Sequence, residues 1–222
     1  KAREFVRTRG ASLFDEGSET NAVARMMKIY GMVPYEAYTG KRFGQTFLDH
    51  EAMFREMKTY LSNVKANAAW DEKAVESTIR SIMDHYMGSV PEYVMVNGKK
   101  MTPLQYMNDV LKLHPDDYVH FMSLKEKPYW TMAEYDVPDN WWNSEDYHNV
   151  PLNDFMLIID KGVRNGFTIA IGGDVSETGI MGTAGVAVVP SYDIPSAYID
   201  ENARQMRFSN GSTTDDHAVH LV

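Results

Sequence analysis

Three observations predict an α+β fold. Apolar residues recur at helical spacing through the first half, short runs bounded by turn residues fill the second, and no internal repeat or low-complexity tract interrupts the order. Helices first and strands later separate a mainly helical region, 1–114, from a β-rich region, 115–222, with the change of character falling near 115–127.

In order along the chain, residues 18–30 place Ala22, Val23, Met26, Met27 and Tyr30 on one apolar face, and Gly31 supplies a stop. A loop containing Pro34 and Gly40 leads to an amphipathic helix over 47–70. A second helix follows over 71–87, with Asp71 as N-cap, Val75, Ile79, Ile82, Met83 and Tyr86 inward and Gly88 as its end; the two predict an antiparallel pair. Residues 93–101 read as a hairpin, because Asn97-Gly98 suits a two-residue primed turn. Thr102-Pro103 opens a short helix to about Leu113, since proline is tolerated at a first helical position. Beyond it, strands are predicted at 118–122, 130–137, 167–171, 186–189 and 218–222, with one clear helix over 151–165 ending at Gly166.

Composition narrows the functions. The chain has 222 residues, 44% hydrophobic and 24% charged, enough to bury a core as one large or two small domains. A formal charge of −9, with no basic run beyond Lys99-Lys100, offers nothing to a phosphate backbone, so nucleic acid is not an expected partner. Nor is a membrane, since no stretch approaches the roughly 20 apolar residues a bilayer span needs. The amino end, Lys1-Ala2-Arg3-Glu4, is neither a signal peptide nor an initiator methionine, so the chain reads as an excised or processed piece. Zero cysteines exclude disulfides without fixing a compartment, and the 15 methionines read as adaptable core filling.

The chemically informative segment is Thr213-Thr214-Asp215-Asp216-His217-Ala218-Val219-His220. A histidine where an acidic turn becomes a strand is held by a rigid element with one edge open to a cleft, a suitable position for a general base. Strand alternation puts Asp215, His217 and Val219 on one side and Asp216, Ala218 and His220 on the other. The same carboxylates and imidazoles suit zinc or manganese, but His-x-x-His on a strand points its rings to opposite faces, and no metal or organic cofactor is expected. Gly172-Gly173-Asp174-Val175-Ser176 lacks the helix and lysine of a phosphate loop and reads as a strand end bordering a cleft. Trp130, Trp141, Trp142, Tyr135 and Tyr147, gathered around Pro138-Asp139-Asn140, read as a loop sealed onto the core by amphipathic rings. Acidic pairs such as Asp15-Glu16 and Asp71-Glu72 read as solvated turns or helix starts.

Three ordered segments carry a family resemblance. Asp216-His217-Ala218-Val219 resembles the histidine segment of papain-like cysteine peptidases. Tyr147-His148-Asn149-Val150-Pro151-Leu152, a helix, and Asn165-Gly166-Phe167-Thr168-Ile169-Ala170-Ile171-Gly172-Gly173-Asp174-Val175 look like the aminopeptidase C and bleomycin hydrolase branch, where a buried strand ends in Gly-Cys-Asp-Val. Here Gly173 stands where that motif has cysteine. Pro128 to Tyr135 is similar to the branch's Leu-Tyr-Thr-Val-Glu-Tyr stretch. The likeness covers about 115–222, and the first half matches as a helical insertion.

The resemblance implies a papain-like fold, incomplete in this chain, from a bacterial enzyme hydrolysing peptide bonds through a thioester. In it His217 is general base and then acid, and Gly173 and Asp174 border the substrate. It also implies a cytoplasmic setting, although a periplasmic one stays open, and admits a homo-oligomer. The nucleophile cysteine with its oxyanion-hole glutamine, the orienting asparagine after the histidine strand and the carboxy-terminal arm behind aminopeptidase action all find no counterpart. Glu16-Gly17-Ser18-Glu19 departs from the family's cleft-lining glycine pair. This chain alone is therefore expected to be inactive, its nucleophile coming from a missing segment or a separate chain. A peptidase-like module that holds peptides or a partner protein without a nucleophile is the alternative from another class, and a metal-dependent hydrolase a third.

Overall fold

Asp71 shows how local chemistry starts an element: its carboxylate accepts a hydrogen bond from the Ala74 amide at 3.0 Å and caps the helix that follows. The computed structural model describes residues 1–42, 44–176, 179–188 and 195–222, and the chain groups into two units, 1–17 with 24–115 and 18–23 with 116–222.

The first unit is helical. Helices α1 (Ala2–Arg7), α2 (Asn21–Tyr30, its first three residues counted with the second unit), α3 (Glu51–Ala66) and α4 (Glu72–Met87) are followed by a hairpin of β1 (Val94–Val96) and β2 (Lys99–Met101). Met53, Met57, Leu61 and Val64 of α3 repeat at helical spacing and meet Val75, Ile79 and Ile82 of α4 and Phe5 and Val6 of α1 in one buried cluster. Two methionines of α3 thus fill core space, whereas Met83 lies on the outer side of α4, 42% exposed. On α2 the inward face is Ala22, Ala24 and Met27, while Val23 and Tyr30 point outward. The tight approach there is made by backbone: a Cβ on Gly31 would lie 2.3 Å from the Pro103 carbonyl carbon, and φ is +74°. The hairpin turn has Asn97 and Gly98 both at positive φ, as a primed turn demands. Thr102 and Gln105 form a reciprocal capping box that starts α5 (Pro103–Gln105). The helix then widens into a π-helical stretch, Tyr106–Leu111, ended by Lys112 in the left-handed region.

The second unit holds short strands. β3 (His120–Met122), β4 (Thr131–Ala133) and β5 (Tyr147–Asn149) make a three-stranded sheet with β5 central, parallel to β3 and antiparallel to β4. Asn149, fully buried, accepts from the Leu124 amide at 2.8 Å through Oδ1. Its Nδ2 donates to the carbonyls of Leu124 and Lys127, 2.9 Å each, and of Pro128, 3.2 Å. After α6 (Leu152–Arg164) come β6 (Ile169–Gly173), β7 (Ile180–Met181) and β8 (Val186–Ala187), which pairs with β7. Helix α7 (Glu201–Ser209) and strand β9 (His217–Leu221) complete the chain. No side chain caps α6 locally; Glu201 of α7 does so, its Oε1 accepting from the Leu152 amide at 2.8 Å and from the Tyr129 hydroxyl at 2.7 Å. Desolvation and that bond to Glu201 push the Tyr129 phenol up to about 12.

Several expectations need correcting. The predicted strands 118–122 and 130–137 shorten to β3 and β4, because a 3-10 turn occupies Pro115–Asp117 and Trp130 breaks extension with φ +64°. Trp130 is also 69% exposed and seals nothing, whereas Tyr135 packs on Tyr147 and Phe208, and Trp141 stands edge-on to Trp142. Of the predicted strand 186–189, Val189 lies outside the described residues. Among the described residues no helix is long and apolar enough to cross a membrane.

Candidate active site

β6 and β9 form an antiparallel ribbon in which Gly173 faces His217, and none of its ten residues is buried. The buried strand that the family motif leads one to expect is therefore half-exposed here. Among the described residues it has a single ladder partner, and of the ribbon's residues only Ile169, Ile171 and Leu221 turn partly inward. The ribbon's end is braced by two carboxylates. Asp216 accepts from the Val175 amide at 2.9 Å, and its own amide donates to the Gly173 carbonyl at 3.3 Å. Asp174 accepts from the Ser176 amide at 2.9 Å and hydroxyl at 3.0 Å through Oδ1, and from the Thr214 amide at 2.9 Å through Oδ2.

His217 stands on this frame, its side chain 59% exposed and its Nδ1 3.0 Å from Asp216 Oδ1. The Val175 amide, first, and then His217 and Ser176 hold the Asp216 carboxyl well below the usual carboxylate range, so it stays an anion beside the ring. With Nδ1 donating to that anion, Nε2 is the basic edge. Among the described residues, nothing lies within 4 Å of where a Cβ on Gly173 would be. His217, Gly173 and Asp174 thus fall together at one ribbon end, while His220, paired with Ala170, lies three residues further along the strand.

A second group lies one residue further into the ribbon. Asp215 Oδ1 comes within 3.0 Å of where a Gly172 Cβ would be, and Glu19 Oε2 within 3.8 Å, so a methyl at 172 would press on the Asp215 carboxylate. Glu19 is 5% exposed, accepts from the Tyr147 hydroxyl at 3.2 Å through Oε2, and lies beside Asp215, both carboxylates reaching the Gly172 backbone. Burial, then Asp215 beside it, push the Glu19 carboxyl far above the usual range, against the pull of Tyr147. Burial, then Asp215 and Glu19, raise the phenol of Tyr135, and burial, then Glu19 and Asp146, raise that of Tyr147. These groups border a cavity of about 140 Å³ whose other wall is apolar, from Phe155 and Ile158 of α6 to Ile169 and Ile171 of β6.

The chain is similar in fold to PepW from Lactobacillus rhamnosis HN001 (DR20). The match has a TM-score of 0.62 at 15% identity, and covers 99% of this chain and 57% of that of PepW. The chain therefore spans somewhat over half the length of its structural neighbour, and the likeness extends through both its helical and its β-rich parts. No protein-family model matches the sequence, and no curated protein matches it.

The sequence did not mark Glu19 as a site residue. It lay in a segment, Glu16-Gly17-Ser18-Glu19, that departs from the cleft-lining glycine pair, and the neighbours that give it significance, Tyr147 and Asp215, are remote along the chain. Among the described residues no three His, Cys, Asp or Glu side chains are grouped to hold a metal ion.

Proposed function

We propose that this chain is the histidine-bearing part of a cysteine-type peptidase, in which His217 takes the proton from a thiol and returns it to the leaving amine. The observation that carries the reading is the carboxylate-braced imidazole at the exposed end of a strand, paired across the ribbon with Gly173, which no other described residue crowds. A catalytic base must be oriented by a third group, and Asp216, itself pinned by the Val175 amide, orients His217. Gly173 would let an extended peptide approach the ring through its backbone, and Asp174 would hold the loop that frames that approach. The PepW-like fold supports the reading, as does the resemblance of the three ordered segments to the aminopeptidase C and bleomycin hydrolase branch.

The chain contains no cysteine, so a thioester requires a thiol from elsewhere in a longer form of the protein or from another chain. Intact mass and terminal sequencing of the natural protein would reveal a cysteine-bearing portion. In that form a thiol-directed peptidyl epoxide should label one cysteine, and His217→Ala should abolish the labelling, because the thiolate depends on the adjacent imidazole. Labelling that survives the substitution removes His217 from the mechanism. Serine, glycine or alanine in place of the nucleophile would instead favour a module that binds peptides without cleaving them.

A further inference from the structure

We infer that the cavity bounded by Glu19, Ser123 and the α6–β6 wall is a recognition pocket for an alkylammonium group, such as the end of a lysine-type side chain or a small aliphatic amine. The pocket is built: Glu19 is 5% exposed and Ser123 2% exposed, and both line the cavity. Each carries a buried polar atom, Glu19 Oε1 and Ser123 Oγ, that no hydrogen-bond partner among the described residues reaches. Unsatisfied buried acceptors are rare in folded proteins, and two on one cavity mark where a ligand's donors go.

The chemistry of the wall selects the ligand. Asp215 Oδ1 and Glu19 Oε2 both reach the Gly172 backbone, 3.0 and 3.8 Å from where its Cβ would be, and two carboxyls gathered so near share a proton. An ammonium can take that proton's place, giving hydrogen bonds to Glu19 Oε1 and the Ser123 hydroxyl while neutralising the released charge. Phe155, Ile158, Ile169 and Ile171 receive the aliphatic stem, and the volume of about 140 Å³ suits a chain of four or so carbons. Arg204 also borders the cavity, but its guanidinium is tied to the Ser123 carbonyl. The other titratable groups facing the pair are Tyr135, Tyr147, Asp139 and, across the cavity, His120.

The pocket does not depend on the peptidase reading, and its test avoids catalysis. The 222-residue chain is titrated with n-butylammonium chloride and, as the uncharged match, 1-butanol. Binding is followed by methyl NMR of the isoleucines and by calorimetry in two buffers of different ionisation enthalpy. Saturable shifts at Ile158, Ile169 and Ile171 are expected, with the alcohol at least about tenfold weaker and Glu19→Gln costing the ammonium at least about tenfold. About one proton should leave per ammonium bound near neutral pH, none with the alcohol, and His217→Ala should change neither. The wild-type proton count stands even if Glu19→Gln fails to fold. Absence of saturable shifts, equal binding of both ligands, or no proton release overturns the inference.

Discussion

At the scale of single residues, buried polar groups set the strongest expectations. Asn149 satisfies both ends of its amide with four backbone partners at zero exposure. Asn149→Ala should therefore destabilise the second unit by about 3 kcal/mol, read by urea unfolding, because those groups lose their partner in a dry interior. Glu19 gives a pH expectation. Its folded pKa lies above its ordinary value of 4.5, so the folded state keeps a proton that the unfolded chain releases. The stability it contributes is complete below about pH 4.5 and is lost as pH rises toward the folded value. Between the two, wild type should lose up to about 1.4 kcal/mol per pH unit relative to Glu19→Gln, in denaturation series over pH 5 to 8. A difference that is flat or rises with pH would show that Glu19 is ionised in the fold. The histidine's strand was legible from Asp-His-Ala-Val, but the acid pair was not, since no local pattern announces two carboxyls brought together only by the sheet.

Elements divide into those whose cause is local and those whose cause is remote. The Asp71 cap, the Asn97-Gly98 turn and the Thr102-Pro103 start were readable because each is decided within four residues. Strand β5 was not: three residues, Tyr147-His148-Asn149, become a strand only because β3 and β4 flank them. Helix α7 escaped for a related reason, having few apolar residues and no continuous stripe; its Asp200 cap and its contacts through Arg204 and Phe208 carry it. The end of α2 offers a sharp test at this scale. Gly31→Ala forces both a left-handed φ and a 2.3 Å approach to the Pro103 backbone. It should cost more than about 3 kcal/mol, seen as a large fall in the unfolding midpoint of the first unit. Gly44→Ala, also at positive φ but with open space around it, should cost about 1 kcal/mol.

The whole molecule combines acidity with exposed hydrocarbon. Its formal charge of −9 at neutral pH falls to zero near the sequence pI of about 5.2, while Phe167 and Trp130 remain about 70% exposed. Charge repulsion is then what keeps apolar surfaces apart, so turbidity should peak close to pH 5 and clear on either side. Solubility that does not dip there would mean that those surfaces are covered in solution. Fold class could be read from the order of periodicities. The pairing of the strands could not, because register in the second unit depends on partners as distant as Leu221 is from Ile169.

The two adjacent glycines at the ribbon's end are an internal control. At 172 an added methyl meets the Asp215 carboxylate at 3.0 Å, whereas at 173 it meets no described residue within 4 Å. Alanine at each position therefore asks a different question: a defect at the former reports pressure on the acids, and one at the latter, in a chain that still melts normally, reports a loss of approach to the ribbon's end.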